Sequence, residues 1–245
     1  MSSILCLNCQ GLGETQTVDR LRGLLRRYWP KVTFLSETKK SATEMELLRP
    51  RLGNYAGVYV DSRRGAGGLA ILWEKDITLN VCSSSLNHID ATICWEGENV
   101  HWRFTGIYGY LESHNKHKTG ALLADLKAHS DSPWIIGGDL NEIFYHSEKK
   151  RGPPKPQLHI DMFQEAFIDN DLFELEYEGY DFTWSRWMNG EIMVEEHLDR
   201  FCASTDWSML FPEAKVYHID SDISDHLPLL MKCRPRCARS LAYKK

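Results

Sequence analysis

The sequence predicts an α/β fold in which two β-sheets form a sandwich with helices packed on the outside. Short apolar runs of strand character recur along all 245 residues. Four or five segments of helical period fall between groups of those runs rather than alternating with them one for one. Residues 55–108 hold about five strand-like runs and no helix, a pattern foreign to a strictly alternating parallel fold. No Ser/Gly linker, low-complexity stretch or internal repeat divides the chain.

The elements follow in order. SILCLNC is an apolar run ending in turn residues and predicts a buried strand. Val18, Leu21, Leu24, Leu25 and Tyr28 lie at helical spacing over 17–28, and Trp29-Pro30 stops that helix. VTFLSE is a second buried strand, and Ser41-x-x-Glu44 has the form of a capping box opening a helix through about Leu48. YAGVYV, GLAILW, ITLNVC, DATICW and VHWRFTGIY are strands separated by turns such as GAGG and EGEN. Leu122, Leu123 and Leu126 predict a helix, and WIIGG a buried strand stopped by a double glycine. KKRGPPKP is a loop, and Met162, Phe163, Phe167 and Ile168 predict another helix. YDFTWSRW and EIMVEE form a hairpin about Asn189-Gly190, and HLDRFCA, AKVYHI and HLPLLMKC complete the strands.

With 42% hydrophobic and 26% charged residues, the chain buries a sizeable core without disulfide staples. No apolar run approaches the roughly 20 residues of a membrane-spanning helix. The start MSSILCLNCQ lacks a basic segment followed by a long apolar stretch, so no membrane contact and an intracellular location are expected. A net charge of −5 excludes a globally basic nucleic-acid binder but leaves local basic patches open. The seven cysteines are odd in number and irregularly spaced, as expected of reduced thiols. Cys6-x-x-Cys9 and Cys233-x-x-x-Cys237 lie at opposite ends of the chain and read as buried, inert thiols rather than zinc ligands.

Chemistry is expected where strands end in acidic or amide residues. Asn8, Glu37, Asp139 with Asn141, Asp199, and Asp225 with His226 all occupy such positions. Hard oxygen donors there suit Mg²⁺, and a His among them would act as acid, base or positive group, with Asp199 able to fix its tautomer. Taken singly each is ordinary: Asp-x-Asn after Gly-Gly makes a turn, and His226 beside Pro228 reads equally as a structural histidine.

Their order along the chain is more specific. The segments are Asn8-Cys9-Gln10-Gly11-Leu12-Gly13, Phe34-Leu35-Ser36-Glu37-Thr38-Lys39, Gly67-Gly68-Leu69-Ala70-Ile71-Leu72-Trp73 and Phe104-Thr105-Gly106-Ile107-Tyr108-Gly109. They continue with Trp134-Ile135-Ile136-Gly137-Gly138-Asp139-Leu140-Asn141-Glu142, Phe182-Thr183-Trp184-Ser185, Leu198-Asp199-Arg200 and Ser224-Asp225-His226-Leu227-Pro228. From about Ser3 to Met231 the chain resembles the endonuclease/exonuclease/phosphatase superfamily. Within it, it looks most like the apurinic-type endonuclease domain of plant LINE-type non-LTR retrotransposons.

The resemblance implies a four-layered α/β sandwich of two mixed sheets flanked by helices, of the DNase I-like and exonuclease III-like type. The domain would span 1–232, with 233–245 a short basic tail. It implies phosphodiester cleavage dependent on Mg²⁺, with Mn²⁺ as a substitute, and DNA as the partner. Glu37 would hold the metal, with Asn8 and Asp225 close to it. Asp139 would orient or deprotonate the attacking water, and Asn141 would contact the scissile phosphate. His226, braced by Asp199, would stabilise developing charge, and Tyr108 would sit beside the leaving group. Leu7, Leu111, Leu140 and His197 depart from the expected Trp, Pro, Phe and Arg, and none replaces a proposed catalytic group. A nuclear location and a link to a reverse transcriptase absent from this chain follow from the same resemblance.

DNA contacts would come from Arg63 and Arg64, Lys116 and Lys118, and Lys149, Lys150, Arg151 and Lys155, which would touch phosphates without reading sequence. Trp184, with Phe182 and Trp187, is a candidate wedge against a nucleotide, although alternating aromatics in a strand also suit a core. Two further readings stay open: a phosphodiesterase or phosphatase acting on a small substrate such as a phosphoinositide, and a non-catalytic retroelement remnant.

Overall fold

Side chains in a strand alternate between sheet faces, and in β1 (Ser2–Asn8) that alternation separates two cores. Ile4 and Cys6 enter the core between the sheets, while Leu5, Leu7 and then Cys9 enter the core beneath the outer helices. Cys6 and Cys9 therefore face different layers and share no site. The fold is that of a computed structural model describing residues 2–95 and 100–234. The EGEN turn, Cys237 and most of the basic tail lie outside the described residues.

After β1 come α1 (Thr15–Tyr28), β2 (Val32–Ser36), α2 (Ala42–Leu52), β3 (Tyr55–Val60) and β4 (Leu69–Glu74). Then follow β5 (Ile77–Ser84), β6 (His88–Trp95), β7 (His101–Tyr108), α3 (His117–Ala128) and β8 (Trp134–Asp139). The next elements are β9 (Lys149–Lys150), α4 (Gln157–Asp169), β10 (Leu172–Glu174), β11 (Tyr177–Glu178), β12 (Trp184–Met188) and β13 (Glu191–Glu196). β14 (Asp199–Ser204), α5 (Thr205–Leu210), β15 (Lys215–His218) and β16 (Leu229–Cys233) complete the series.

One sheet has seven strands in the order β11-β15-β16-β1-β2-β4-β3, the other six in the order β10-β14-β8-β7-β6-β5. Both are mixed: β1 runs parallel to β2 and β7 parallel to β8, while β1 is antiparallel to β16 and β8 to β14. Val18, Leu21 and Leu25 of α1 and Met45 of α2 cover the first sheet. Leu123 and Leu126 of α3 and Phe163 and Phe167 of α4 cover the second. The four expected layers are thus present. Between the sheets, the Phe34 ring lies against Gly106 and the Phe201 ring against Gly137, where an added Cβ would overlap each ring. Among the described residues no helix is long and apolar enough to cross a membrane.

The capping box of α2 forms as expected: Glu44 N donates to Ser41 Oγ at 3.2 Å, and Ser41 N donates to Glu44 Oε2 at 2.8 Å. Three local expectations are corrected. First, α2 runs past Leu48 to Leu52, with Pro50 in its final turn, where only one intrahelical N–H is lost. Second, Lys149–Lys150 of the expected loop pair with Glu195–Glu196 as a strand, because each lysine lands opposite a glutamate; β9, β13 and β12 form a small third sheet. Third, residues 205–210, for which the sequence suggests no element, form α5, which is too short to show helical periodicity. It starts where Trp207 N donates to Ser204 Oγ, and Trp207 packs edge-on to Trp102 at 6.0 Å.

Candidate active site

The antiparallel register of β8 and β14 sets Asp139 directly opposite Asp199. Asn8 ends β1, Glu37 follows β2, Tyr108 ends β7 and His226 precedes β16, so these residues meet at one end of the sandwich. Asn8 is the hub, 1% exposed. Its amide nitrogen donates to Asp139 Oδ2 at 2.9 Å and to Glu37 Oε1 at 3.2 Å, and lies 3.4 Å from His226 Nε2. Glu37 Oε1 also accepts the Tyr108 hydroxyl at 2.7 Å. Glu37 turns into the cleft on a left-handed backbone, φ 51°.

His226 Nδ1–H donates to Asp199 Oδ2 at 2.8 Å, which fixes the tautomer and aims Nε2 inward. Nε2 lies 3.8 Å from Asp139 Oδ2 and 3.9 Å from Asp225 Oδ1. The same Asp199 oxygen accepts the Thr183 hydroxyl at 2.8 Å. Burial raises the Asp139 pKa to about 7, with Asp199 adding to the rise and His226 opposing it. Burial alone would lower the His226 pKa, but Asp199, Asp139 and Asp225 outweigh it and raise the pKa to about 10. The favoured neutral-pH arrangement is an imidazolium facing carboxylates. Tyr108 is pushed above its ordinary pKa by burial and by Glu37, so its phenol keeps its proton.

Asn141 sits on a left-handed backbone, φ 57°; its own N–H donates to Asp139 Oδ1 at 2.9 Å and its side-chain amide donates to Gly109 O at 3.0 Å. The Lys116 ammonium holds the Asn141 carbonyl from behind. Glu37, Asp225 and Asp139 supply hard oxygen donors at one rim, as a Mg²⁺ or Mn²⁺ site requires, while Asn8 turns its amide nitrogen to Glu37 and Asp139 and its Oδ1 accepts from Gln10 N at 3.1 Å. Asp225 Oδ1 is buried without a hydrogen-bond partner among the described residues, so this donor set fits a divalent cation. Asp139, Asp199 and His226 also place one ligand atom each within 4.8 Å of one another.

All eight expected catalytic and metal-site residues thus converge. The expected DNA-contacting cations divide into exposed side chains and side chains already paired. Arg63 and Arg64 are exposed in the turn between β3 and β4, and Lys118, Lys150 and Arg151 are exposed as well. Lys116, Lys149 and Lys155 instead turn onto buried carboxylates. Lys155 lies 3.2 Å from Glu142 and 3.0 Å from Glu196, Lys116 is 3.7 Å from Glu142, and Lys149 pairs with Glu196. Trp184 is half-buried, with its indole N–H on Asp225.

Sequence reasoning missed the roles of Thr183 and Arg200, although both lie in quoted segments. Thr183 accepts Leu198 N and Asp199 N while donating to Asp199, tying β14 to the Phe182–Ser185 segment. His197 buttresses the same region: its Nδ1 donates to Asp181 O at 2.6 Å and its Nε2 lies 2.8 Å from Glu174 Oε1. His218 stacks on Tyr177 at 4.3 Å and donates to Tyr180 O at 2.7 Å.

Burial lowers the His218 pKa below its ordinary value, so the unfolded chain takes up a proton first as pH falls. The stability due to neutral His218 is present above about pH 6.5 and lost below it, at up to about 1.4 kcal/mol per pH unit. Urea midpoints are expected to fall between pH 7 and pH 5, and His218→Phe to flatten that slope. An unchanged slope in the variant would assign the loss elsewhere.

The sequence profile of the Endonuclease/Exonuclease/phosphatase family matches residues 5–226. Among solved structures, the AP endonuclease of Leishmania major superposes with a TM-score of 0.72 at 15% identity, over 96% of this chain and 88% of that one. The endonuclease domain of TRAS1, a telomere-specific non-LTR retrotransposon, gives 0.71 at 14% identity, over 96% and 99%. A 3′ phosphatase from Neisseria, bound to product DNA hairpin, gives 0.69 at 15% identity, over 96% and 100%. At these identities the likeness is one of fold. No curated protein matches the sequence.

Proposed function

The chain belongs to the endonuclease/exonuclease/phosphatase family, and from that premise we propose that it is a divalent-metal-dependent endonuclease that nicks DNA, of the plant LINE retroelement type. The observation that carries this reading is the convergence of Asp139 and Asn8 with the Asp199–His226 pair beside the free oxygen of Asp225. Gly67-Gly68-Leu69-Ala70 and Phe182-Thr183-Trp184-Ser185 support the retroelement branch.

Each side chain then has a task set by its contacts. Glu37 and Asp225 would hold Mg²⁺ or Mn²⁺ through carboxylate oxygens, with Asn8 close by and its amide nitrogen fixing Glu37. The bound cation neutralises phosphoryl charge and makes water more acidic. Asp139, buried and with its pKa raised to about 7, accepts the proton of the attacking water. His226, kept cationic by Asp199, faces the pentavalent phosphate and offsets its growing negative charge. Asn141, clamped by Lys116 and Gly109, donates to a non-bridging phosphate oxygen. Tyr108 sits beside the leaving group and steadies Glu37 through its hydroxyl.

The exposed Arg63, Arg64, Lys118, Lys150 and Arg151 take the DNA phosphates in this reading. Lys116, Lys149 and Lys155 serve the scaffold, since their charges are already matched by Glu142 and Glu196.

Purified protein is expected to convert supercoiled plasmid to the relaxed form with Mg²⁺ or Mn²⁺ and to stop in EDTA. Because the DNA contacts proposed are to phosphate, nicking should weaken steeply between 50 and about 200 mM salt. A chain inert on DNA that releases phosphate from inositol phosphates would favour the small-substrate reading. A cooperatively folded chain with neither activity would favour the remnant.

A further inference from the structure

β12 is joined to the segment that carries Asp225 and His226. Ser185 N donates to Asp225 O at 3.2 Å, Leu227 N donates to Thr183 O at 2.7 Å, and Trp184 pairs with His226 as an antiparallel bridge. Trp184 adds a side-chain link, its indole Nε1–H donating to Asp225 Oδ2 at 2.8 Å. The ring lies 6.4 Å from that of His226 and packs against the small cluster of Ile143, Ile160 and Leu198.

The two oxygens of Asp225 are thereby made unequal. Oδ2 is occupied by a group that can only donate. Oδ1 is buried, has no hydrogen-bond partner among the described residues, and sits 3.9 Å from His226 Nε2. A buried carboxylate oxygen left open is costly unless something positive comes to it. Carboxylates that bind metals are oriented by hydrogen bonds of this kind, and removing such a partner typically weakens metal binding by about 10–100-fold.

We propose that Trp184 is a positioning residue whose indole N–H holds Oδ2 of Asp225, so that Oδ1 is presented to a divalent cation. The proposal rests on the reading of Asp225 as a metal ligand. It replaces a wedge against the nucleotide with a task directed inward. Packing alone would make Phe an adequate substitute, whereas the hydrogen bond makes it a poor one.

The test is direct Mn²⁺ binding to the full chain by calorimetry, without substrate, in wild type, Trp184→Phe, Asp225→Asn and the double variant. Trp184→Phe is expected to bind Mn²⁺ about tenfold more weakly, with its urea midpoint in EDTA unchanged. In the Asp225→Asn background the same replacement should change nothing further. Wild-type affinity in Trp184→Phe overturns the proposal and leaves the nuclease reading standing if the wild type binds Mn²⁺ and nicks DNA. A wild type that binds no Mn²⁺ overturns both. Should Trp184→Phe not fold, the indole N–H spectrum of the wild type carries the test. One of the eight indole signals must then shift on addition of Mg²⁺ and fail to do so in Asp225→Asn. No responsive signal overturns the proposal.

Discussion

Asp139→Asn is expected to slow DNA nicking by about 10²–10⁴-fold, the range for loss of a positioned general base, while the protein stays folded. Asn keeps the size of the side chain and can still accept one hydrogen bond, from Asn141 N or from Asn8, so the packing survives. What disappears is the group able to take a proton, together with half of the electrostatic partnership with His226. His226→Ala should cost a similar factor through loss of the imidazolium that faces the phosphate. Since the two side chains act on one reaction, the double variant should fall well short of the product of the single effects. Single-turnover nicking of supercoiled plasmid with Mg²⁺ measures all three. Rates within threefold of wild type in both single variants would sink the assignment.

Arg200→Met should destabilise the fold by about 3–5 kcal/mol, the usual result of stripping one partner from a buried ion pair. The guanidinium is fully buried and spans two carboxylates, at 2.9 Å from Glu174 Oε2 and 2.9 Å from Glu148 Oε2. It also donates to His197 O at 2.6 Å and lies over the Phe144 ring at 4.3 Å. Met fills much of the volume but leaves both acids without this cation. Arg200→Lys should rescue little, because one ammonium cannot fork between two carboxylates. Urea unfolding at pH 7 gives the number, and a loss under about 1 kcal/mol would show that solvent already screens Glu148 and Glu174.

Arg200 also shows where the sequence stops being legible. Leu198-Asp199-Arg200 is visible as a segment, and strand alternation sends Asp199 and Arg200 to opposite faces of β14. Nothing local says which acids await the arginine, since Glu174 and Glu148 are 26 and 52 residues away. The pairing of Lys149 is hidden for the same reason, because its partner Glu196 is 47 residues distant. A lysine in a polar loop looks free until tertiary structure brings a glutamate to it. The strands, by contrast, declare themselves through short-range apolar runs and turn residues. The residues at their ends could be marked as candidates before any contact was known. α5 lay between those cases: Ser204 before Trp207 is a local start signal, but six residues give no periodicity to read.

The pairing of β1 with β16 has a consequence in time. Asn8 lies 3.4 Å from His226, 218 residues later, and Ser224 donates to Asn8 O at 2.7 Å. While a ribosome is still making β14, the first strand, Glu37, Asp139 and most strands of both sheets already exist, yet Asp225 and the histidine do not. Contacts so distant in sequence also close late in folding. A growing or half-folded chain therefore carries no complete site. The strand that completes the seven-stranded sheet assembles it, and loss of that strand would dismantle it before the remaining layers came apart.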